Sequence, residues 1–308
     1  MKRFSIMTML LCMMGIAANA QLIFRVSGGE QTEPSYILGS IHLMSGTMLD
    51  SIPGYLKAEG SCKQLYVETD VTDAQYRKNI HDAGMQMLTL PDSLTIFDVM
   101  GEERIGLLQE RLKESCHINL TDSTSRILWD KQPVMFTTMI NSIITVEVLR
   151  QFPGFLKGGL LDGACIARAK GCGWKVGELD ERLTEEERKK NSEKLIRPID
   201  EQLDSLMALL NNFDKHRQEI INVYEGLQQI NDYWMAGDYE GFEKYFLPQV
   251  DSNQAIYADR NKRWIPKMQD AMKEMPTLFV FGAGHLVGEQ GVIQLLRDKG
   301  YKVEQVKE

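Results

Sequence analysis

The chain has 308 residues, a formal net charge of −8 and 43% hydrophobic residues, enough apolar material at this length to bury a core. The acidic balance argues against nucleic acid or an anionic membrane surface as a partner. After the first twenty residues no window approaches the roughly 18 apolar residues of a membrane span, so no transmembrane anchor is expected.

Met1 to Ala20 reads as a secretory signal peptide. Lys2 and Arg3 form its charged start, Phe4 to Ala18 its apolar stretch, and Ala18-Asn19-Ala20 a small-x-small cleavage site before Gln21. Leu10-Leu11 ahead of Cys12 lacks the small residue expected beside a lipidated cysteine. The reading is therefore an exported protein, periplasmic or extracellular. Residues 21–308 contain no low-complexity linker and read as a single domain.

Leu22 to Ser27 reads as a strand, with Tyr36 to Ser40 as its hairpin partner. Pro53 opens a short helix that ends near Gly60. Gln64 to Asp70 is the next strand, and Thr72-Asp73 a helix N-cap. A mainly helical stretch follows to about Leu160, including Thr95 to Leu112 and the apolar Pro133 to Gln151. Gly158-Gly159 breaks the chain before a helix over Leu160 to Lys170, and Trp174 to Asp180 returns to strand character. Thr184 with Glu187 forms a capping box. Apolar stripes at Ile196 to Phe213 and Ile220 to Trp234 then mark core-packing helices. Helices over Tyr239 to Phe246, Ser252 to Met275 and Gly291 to Lys299 alternate with strands over Thr277 to Ala283 and Lys302 to Val306. The pattern predicts an α/β fold: a central mixed β-sheet with a large helical insertion.

A short pattern occurs twice, Y-I-L-G-S-I-H at Tyr36 to His42 and L-F-V-F-G-A-G-H at Leu278 to His285. Each is an apolar run that stops at Gly-x-x-His, as a buried strand does on entering a turn. In α/β folds such turns at the carboxyl edge of the sheet form the ligand crevice, so His42 and His285 are expected to converge. The other histidines, His81, His117 and His216, lie in polar or helical stretches and read as surface residues.

Two strands end in acids, V-E-T-D at Val67 to Asp70 and G-E-L-D at Gly177 to Asp180. Residues two apart on a strand share a face, which pairs Glu68 with Asp70 and Glu178 with Asp180. Glu68 follows the more apolar run and is the stronger candidate for metal ligation or proton transfer. Arg260-Asn261 in D-R-N-K-R-W is a third candidate, since Arg260 is permanently charged and can fork two hydrogen bonds to a carboxylate or an oxyanion. No nucleophile elbow, His-Glu-x-x-His helix or phosphate loop is present. Cys62, Cys116, Cys165 and Cys172 match no zinc spacing. Cys62 and Cys172 each precede a strand and are a possible disulfide pair.

The L-G-S-I-H, V-E-T-D, D-R-N-K-R-W and F-V-F-G-A-G-H-L-V-G-E-Q-G segments, with L-L-D-G-A at Leu160 to Ala164 and V-G-E-L-D at Val176 to Asp180, resemble the TraB/GumN family (TraB/PrgY/GumN, Tiki-like). The resemblance implies an α/β core with a pocket at the two Gly-x-x-His turns, and relatives described as metal-dependent proteases. It places His42, Glu68, Arg260 and His285 on the family's site, with Asp162 and Asp180 at its periphery. The expectation is a metal-dependent hydrolase acting on peptides or proteins. His42, His285 and Glu68 would hold a divalent cation (Zn, Mn, Co or Fe), with Glu68 also a base and Arg260 on substrate. The alternatives are a protein that sequesters a peptide or metal without turnover, and a metal-free hydrolase with His42 as base and Glu68 orienting it.

Overall fold

The computed structural model describes residues 22–91, 93–151 and 159–306. The expected leader, its cleavage point at Gln21 and Gly158 lie outside these residues. The strands are β1 (Ile23–Ser27), β2 (Ser35–Ser40), β3 (Gln64–Val67), β4 (Lys175–Glu178), β5 (Thr277–Gly282) and β6 (Lys302–Gln305). In chain order the helices are α1 (Tyr55–Ser61), α2 (Ala74–Met87), α3 (Ile96–Cys116), α4 (Pro133–Leu149), α5 (Leu161–Gly171), α6 (Glu185–Leu195), α7 (Ile199–Asn211), α8 (Phe213–Ala236), α9 (Tyr239–Ser252), α10 (Ala258–Glu274) and α11 (Val292–Asp298).

The chain folds as two compact units. The first comprises Met1–Asp70, Lys157–Asp180 and Gln229–Glu308, and the second Val71–Leu156 and Glu181–Gln228. The first holds a six-stranded mixed sheet in the order β4-β3-β5-β2-β1-β6. β1 pairs antiparallel with β2 and with β6, whereas β2, β5, β3 and β4 run parallel to one another. Every residue of β2 and of β5 is buried. Such two-faced burial is what the continuous apolar runs of parallel strands require.

The parallel arrangement brings four carboxyl ends to one edge, and every candidate residue hangs from it or packs over it. His42 lies two residues past β2, Glu68 directly past β3, Asp180 two residues past β4, and His285 within a 3₁₀ turn, Ala283–Leu286, that follows β5. The strands carrying Glu68 and Asp180 are shorter than the sequence suggests. Their backbones nevertheless stay paired past the ladder, through Leu179 N–H to Val67 O at 2.8 Å and Asp180 N–H to Glu68 O at 3.1 Å.

Helix α10 lies over this edge because its sequence is one-sided: Ala258, Asn261, Trp264, Ile265, Met268, Ala271 and Met272 are buried, at the three- and four-residue spacing of a single helical face. Pro266 falls inside it. The Gly-x-x-His turn after β2 is pinned from two directions, by Gly39 N–H to Leu22 O at 2.8 Å and Trp234 Nε1–H to Gly39 O at 2.5 Å.

The second unit is helical. Its core joins Ile96, Met100, Leu108 and Leu112 of α3, Phe136, Ile140, Ile144 and Val148 of α4, and Leu203, Leu206 and Leu210 of α7. The α7 residues belong to the stripe predicted over Ile196 to Phe213, and α3 and α4 fall in the stretch predicted to be helical. The predicted capping box of Thr184 with Glu187 forms, and Thr95 with Asp98 makes a second that the sequence reading did not name.

The expected Cys62–Cys172 disulfide does not form: Cys62, Cys116, Cys165 and Cys172 are free thiols. The strands that follow the two cysteines, β3 and β4, are neighbours as expected. Cys62 caps α1 from inside the core, where burial pushes its thiol up to about 12, whereas Cys172 caps α5 on the surface.

Candidate functional site

Glu68 is the hub of the site. Its Oε1 accepts the Gly282 N–H at 2.7 Å and lies 3.6 Å from His42 Nε2 and 3.9 Å from His285 Nε2. Its Oε2 accepts Arg260 Nη2–H at 2.5 Å. One carboxylate therefore joins groups from β2, β3, β5 and α10, and the predicted convergence of His42, Glu68 and His285 is present.

Each imidazole is held from behind by its Nδ1. His42 Nδ1 meets Asp162 Oδ2 at 2.7 Å, from the first turn of α5. A carboxylate only accepts, so Nδ1 carries the proton and Nε2 turns toward Glu68. His285 Nδ1 meets Asn261 Oδ1 at 2.6 Å. The side chain of His42 is 57% exposed while that of His285 is 3% exposed, so one faces the solvent mouth and the other forms the inner wall. Trp264 stacks against His285 with ring centroids 4.3 Å apart, and Tyr257 lies at 5.1 Å.

Electrostatics separate the two histidines. The hydrogen bond to Asp162 holds the His42 pKa above its ordinary value, against the opposing effect of burial. His285 moves the other way, down to about 3. Burial is the main cause, and the Arg260 guanidinium and His42 add to it. At neutral pH His285 is a neutral imidazole, whereas His42 retains a proton more readily than a free histidine.

Arg260 is committed to the site's own residues. Nη2 donates to both Glu68 and Asp180, the latter at 2.6 Å, Nε donates to Asp180 at 3.2 Å, and Nη1 lies 3.2 Å from His285 Nε2. Of the five N–H donors of a guanidinium, at most one is left for a substrate, so the expected carboxylate clamp becomes instead a brace for Glu68. The Trp264 ring lies 4.7 Å from its Cζ, and the Trp264 Nε1–H donates to Asp180 Oδ1 at 2.8 Å.

The expected Glu68–Asp70 and Glu178–Asp180 pairings are replaced. β3 and β4 end at Val67 and Glu178, so the period of two does not carry through to Asp70 and Asp180. Glu68 joins Asp180 through Arg260, while Glu178 accepts the Asp70 N–H at 2.6 Å and Asp70 receives Lys170 at 2.7 Å. Trp264 and Tyr257 were not anticipated. The i to i+4 spacing from Arg260 to Trp264 was the available signal, since it places both on one helical face.

The donor set bears on whether a metal ion can sit here. Among the described residues no group of three or more His, Cys, Asp or Glu is arranged to hold a metal ion as the side chains stand. The chemistry of the donors nevertheless fits. Two imidazoles turn Nε2 toward one carboxylate while their Nδ1 atoms are held by acceptors, as ligating histidines are held. A neutral His42 would set a lone pair against the carboxylate of Glu68, an arrangement that needs a proton or a cation between them. Gly282 supplies the room: a Cβ there would lie 3.0 Å from His42 Nε2 and 3.3 Å from Glu68 Oε1.

Fold and site together define an α/β protein with a histidine–carboxylate centre at the carboxyl edge of a mixed sheet. The chain belongs to the TraB/PrgY/gumN family, whose model matches residues 22–305. It is similar to the metalloprotease TIKI2 of Danio rerio, at 23% identity over 318 aligned positions, covering 88% of this chain and 58% of that protein. It is also similar, at 34% identity over 74 residues, to a metalloprotease TIKI homolog of Amphimedon queenslandica, covering 23% of this chain and 13% of the relative. The chain thus spans little more than half the length of the first of these relatives. No solved structure matches.

Proposed function

We propose that the protein is a metal-dependent hydrolase, exported from the cell and acting on peptides or proteins. The observation that carries this reading is the approach of two back-supported imidazoles to one carboxylate oxygen, at 3.6 and 3.9 Å. The similarity to the TIKI metalloproteases supports the peptidase class.

His42, His285 and Glu68 would hold a divalent cation of the Zn, Mn, Co or Fe type, which suits imidazole and carboxylate donors. Such an ion polarises a scissile carbonyl and lowers the pKa of water. Asp162 and Asn261 orient the imidazoles. Arg260, tethered by Asp180, fixes the Glu68 rotamer and keeps Oε1 turned to the pocket, where Glu68 is placed to accept a proton from water. His42, at the exposed mouth, is the residue a bound peptide meets first, and the Gly282 backbone leaves space for a substrate atom above the sheet edge.

A second reading draws on the 2.7 Å His42–Asp162 pair. In a hydrolase that uses no metal, His42 is the general base, and Asp162 rather than Glu68 is the group that orients it. Metal analysis of the purified protein, followed by turnover of a peptide library with and without chelator, separates the readings. Chelator-sensitive cleavage supports the first and chelator-resistant cleavage the second. Stoichiometric peptide or metal binding without cleavage overturns both in favour of a sequestering protein.

A further inference from the structure

We propose that Asn261 is a positioning residue that fixes His285 as its Nδ1–H tautomer, with the Nε2 lone pair turned to Arg260 Nη1 beside Glu68. The use of that lone pair as a ligand rests on the metal-dependent reading above and requires Arg260 Nη1 to give it up, but the tautomer itself rests on neither.

The assignment follows from what each partner is able to donate. Asn261 is 1% exposed, and its Nδ2 donates to the carbonyl oxygens of His285 at 3.2 Å and Gln290 at 2.8 Å. Carbonyl oxygens only accept, so the amide cannot be reversed without setting oxygen against oxygen. Its Oδ1 is therefore the atom 2.6 Å from His285 Nδ1, and Nδ1 must donate. The opposite face of the ring gives the same answer independently. Arg260 Nη1 lies 3.2 Å from Nε2, and a guanidinium has no acceptor, so Nε2 must be the unprotonated nitrogen.

Consecutive residues of α10 thus hold opposite nitrogens of one imidazole. Trp264, Tyr257 and Phe281 surround the ring, with centroids at 4.3, 5.1 and 6.1 Å, which leaves it no room to turn over. The Asn261 amide also ties its histidine to the segment beyond the 3₁₀ turn, through Gln290. Ligand orientation and turn geometry are thereby set by one side chain, and hydrogen bonds behind a ligating histidine normally fix its tautomer in this way.

The test is long-range proton–nitrogen NMR on the full, metal-free chain carrying 15N-histidine, with His285 assigned by the signals lost in His285→Gln. The expected spectrum has a pyrrole-type Nδ1 and a pyridine-type Nε2. Asn261→Ala leaves Arg260 as the sole restraint on the ring and should give a mixture in which the Nε2–H form is detectable. Asn261→Asp, which keeps an acceptor but turns an oxygen toward the His285 and Gln290 carbonyls, should retain the wild-type tautomer while lowering the melting temperature. Zinc affinity should fall roughly 10–100-fold in Asn261→Ala, the usual loss for a group behind a ligand, and recover in part in Asn261→Asp. A wild-type His285 in the Nε2–H form overturns the proposal even if no variant folds, and so does an unchanged tautomer in folded Asn261→Ala. A wild-type protein with the expected tautomer but no uptake of zinc, manganese, cobalt or iron overturns the metal reading and leaves the role of Asn261 standing.

Discussion

His42 Nδ1 and Asp162 Oδ2 lie 2.7 Å apart although 120 positions separate the two residues. The contact joins the turn after β2 to the first turn of α5, and so links a Gly-x-x-His motif to the acid of the L-L-D-G-A segment. It makes the more exposed histidine of the site the one that retains its proton.

The first expected outcome concerns that proton. In the metal-free protein His42 should titrate above the ordinary 6.5, and Asp162→Asn should bring its midpoint down, because the largest cause of the shift is removed. A raised folded pKa means that the stabilising contribution is fully present below pH 6.5 and is lost as the pH rises through the folded value. NMR titration of labelled histidine reads both midpoints. Equal values in wild type and Asp162→Asn would refute the assigned cause.

His285 should behave in the opposite sense. Its folded pKa lies at about 3, so the folded protein declines a proton that the unfolded chain accepts below 6.5. Its contribution to stability is therefore present above pH 6.5 and lost as the pH falls from there toward 3. Acid unfolding should shift to lower pH in His285→Gln, which keeps a polar side chain without the titration. A His285 signal that titrates near neutrality in the native protein would contradict this.

The strand-Gly-x-x-His repeat makes the convergence of His42 and His285 legible in the sequence itself. Apolar runs ending at glycine are parallel strands, and parallel strands share a carboxyl edge. Glu68 was legible for a related reason, since it follows another apolar strand run, Leu65-Tyr66-Val67. The use of Arg260 was less visible, because an arginine in a charged helix is usually solvated, and only the fold shows its guanidinium enclosed by Glu68, Asp180 and His285. The acid pairings failed because β3 and β4 stop short of Asp70 and Asp180, and alternation holds only within a strand. The tautomer of His285 depends on hydrogen bonds to main-chain carbonyls, which spacing does not encode.

The two motif glycines should fail in different ways when replaced by alanine. A Cβ at Gly39 meets Leu286 Cδ1 and lies 3.2 Å from Ala283, so Gly39→Ala overpacks the core and should cost about 1–3 kcal/mol. A Cβ at Gly282 points instead at His42 Nε2 and Glu68 Oε1, at 3.0 and 3.3 Å. Gly282→Ala should leave the melting temperature nearly unchanged while lowering metal affinity and turnover. Thermal melts and zinc titrations on both variants make the comparison, and a Gly282→Ala protein with wild-type affinity would remove Gly282 from the site.

Removal of the ligands should separate function from fold. His42 is 57% exposed, so His42→Ala should abolish metal uptake and hydrolysis with little change in stability. His285→Ala should abolish both as well. It should also destabilise by about 1–3 kcal/mol, because it leaves the Asn261 oxygen and an Arg260 N–H without their buried partner. Leu210→Ala, which empties part of the helical core at a residue only 1% exposed, should cost about 2–5 kcal/mol and leave metal stoichiometry intact in the folded fraction. Denaturant unfolding and metal analysis on the same three preparations decide the matter. A His42→Ala protein that keeps its metal and its chelator-sensitive activity would take His42 out of the ligand set and move the centre of the chemistry to Glu68 and His285.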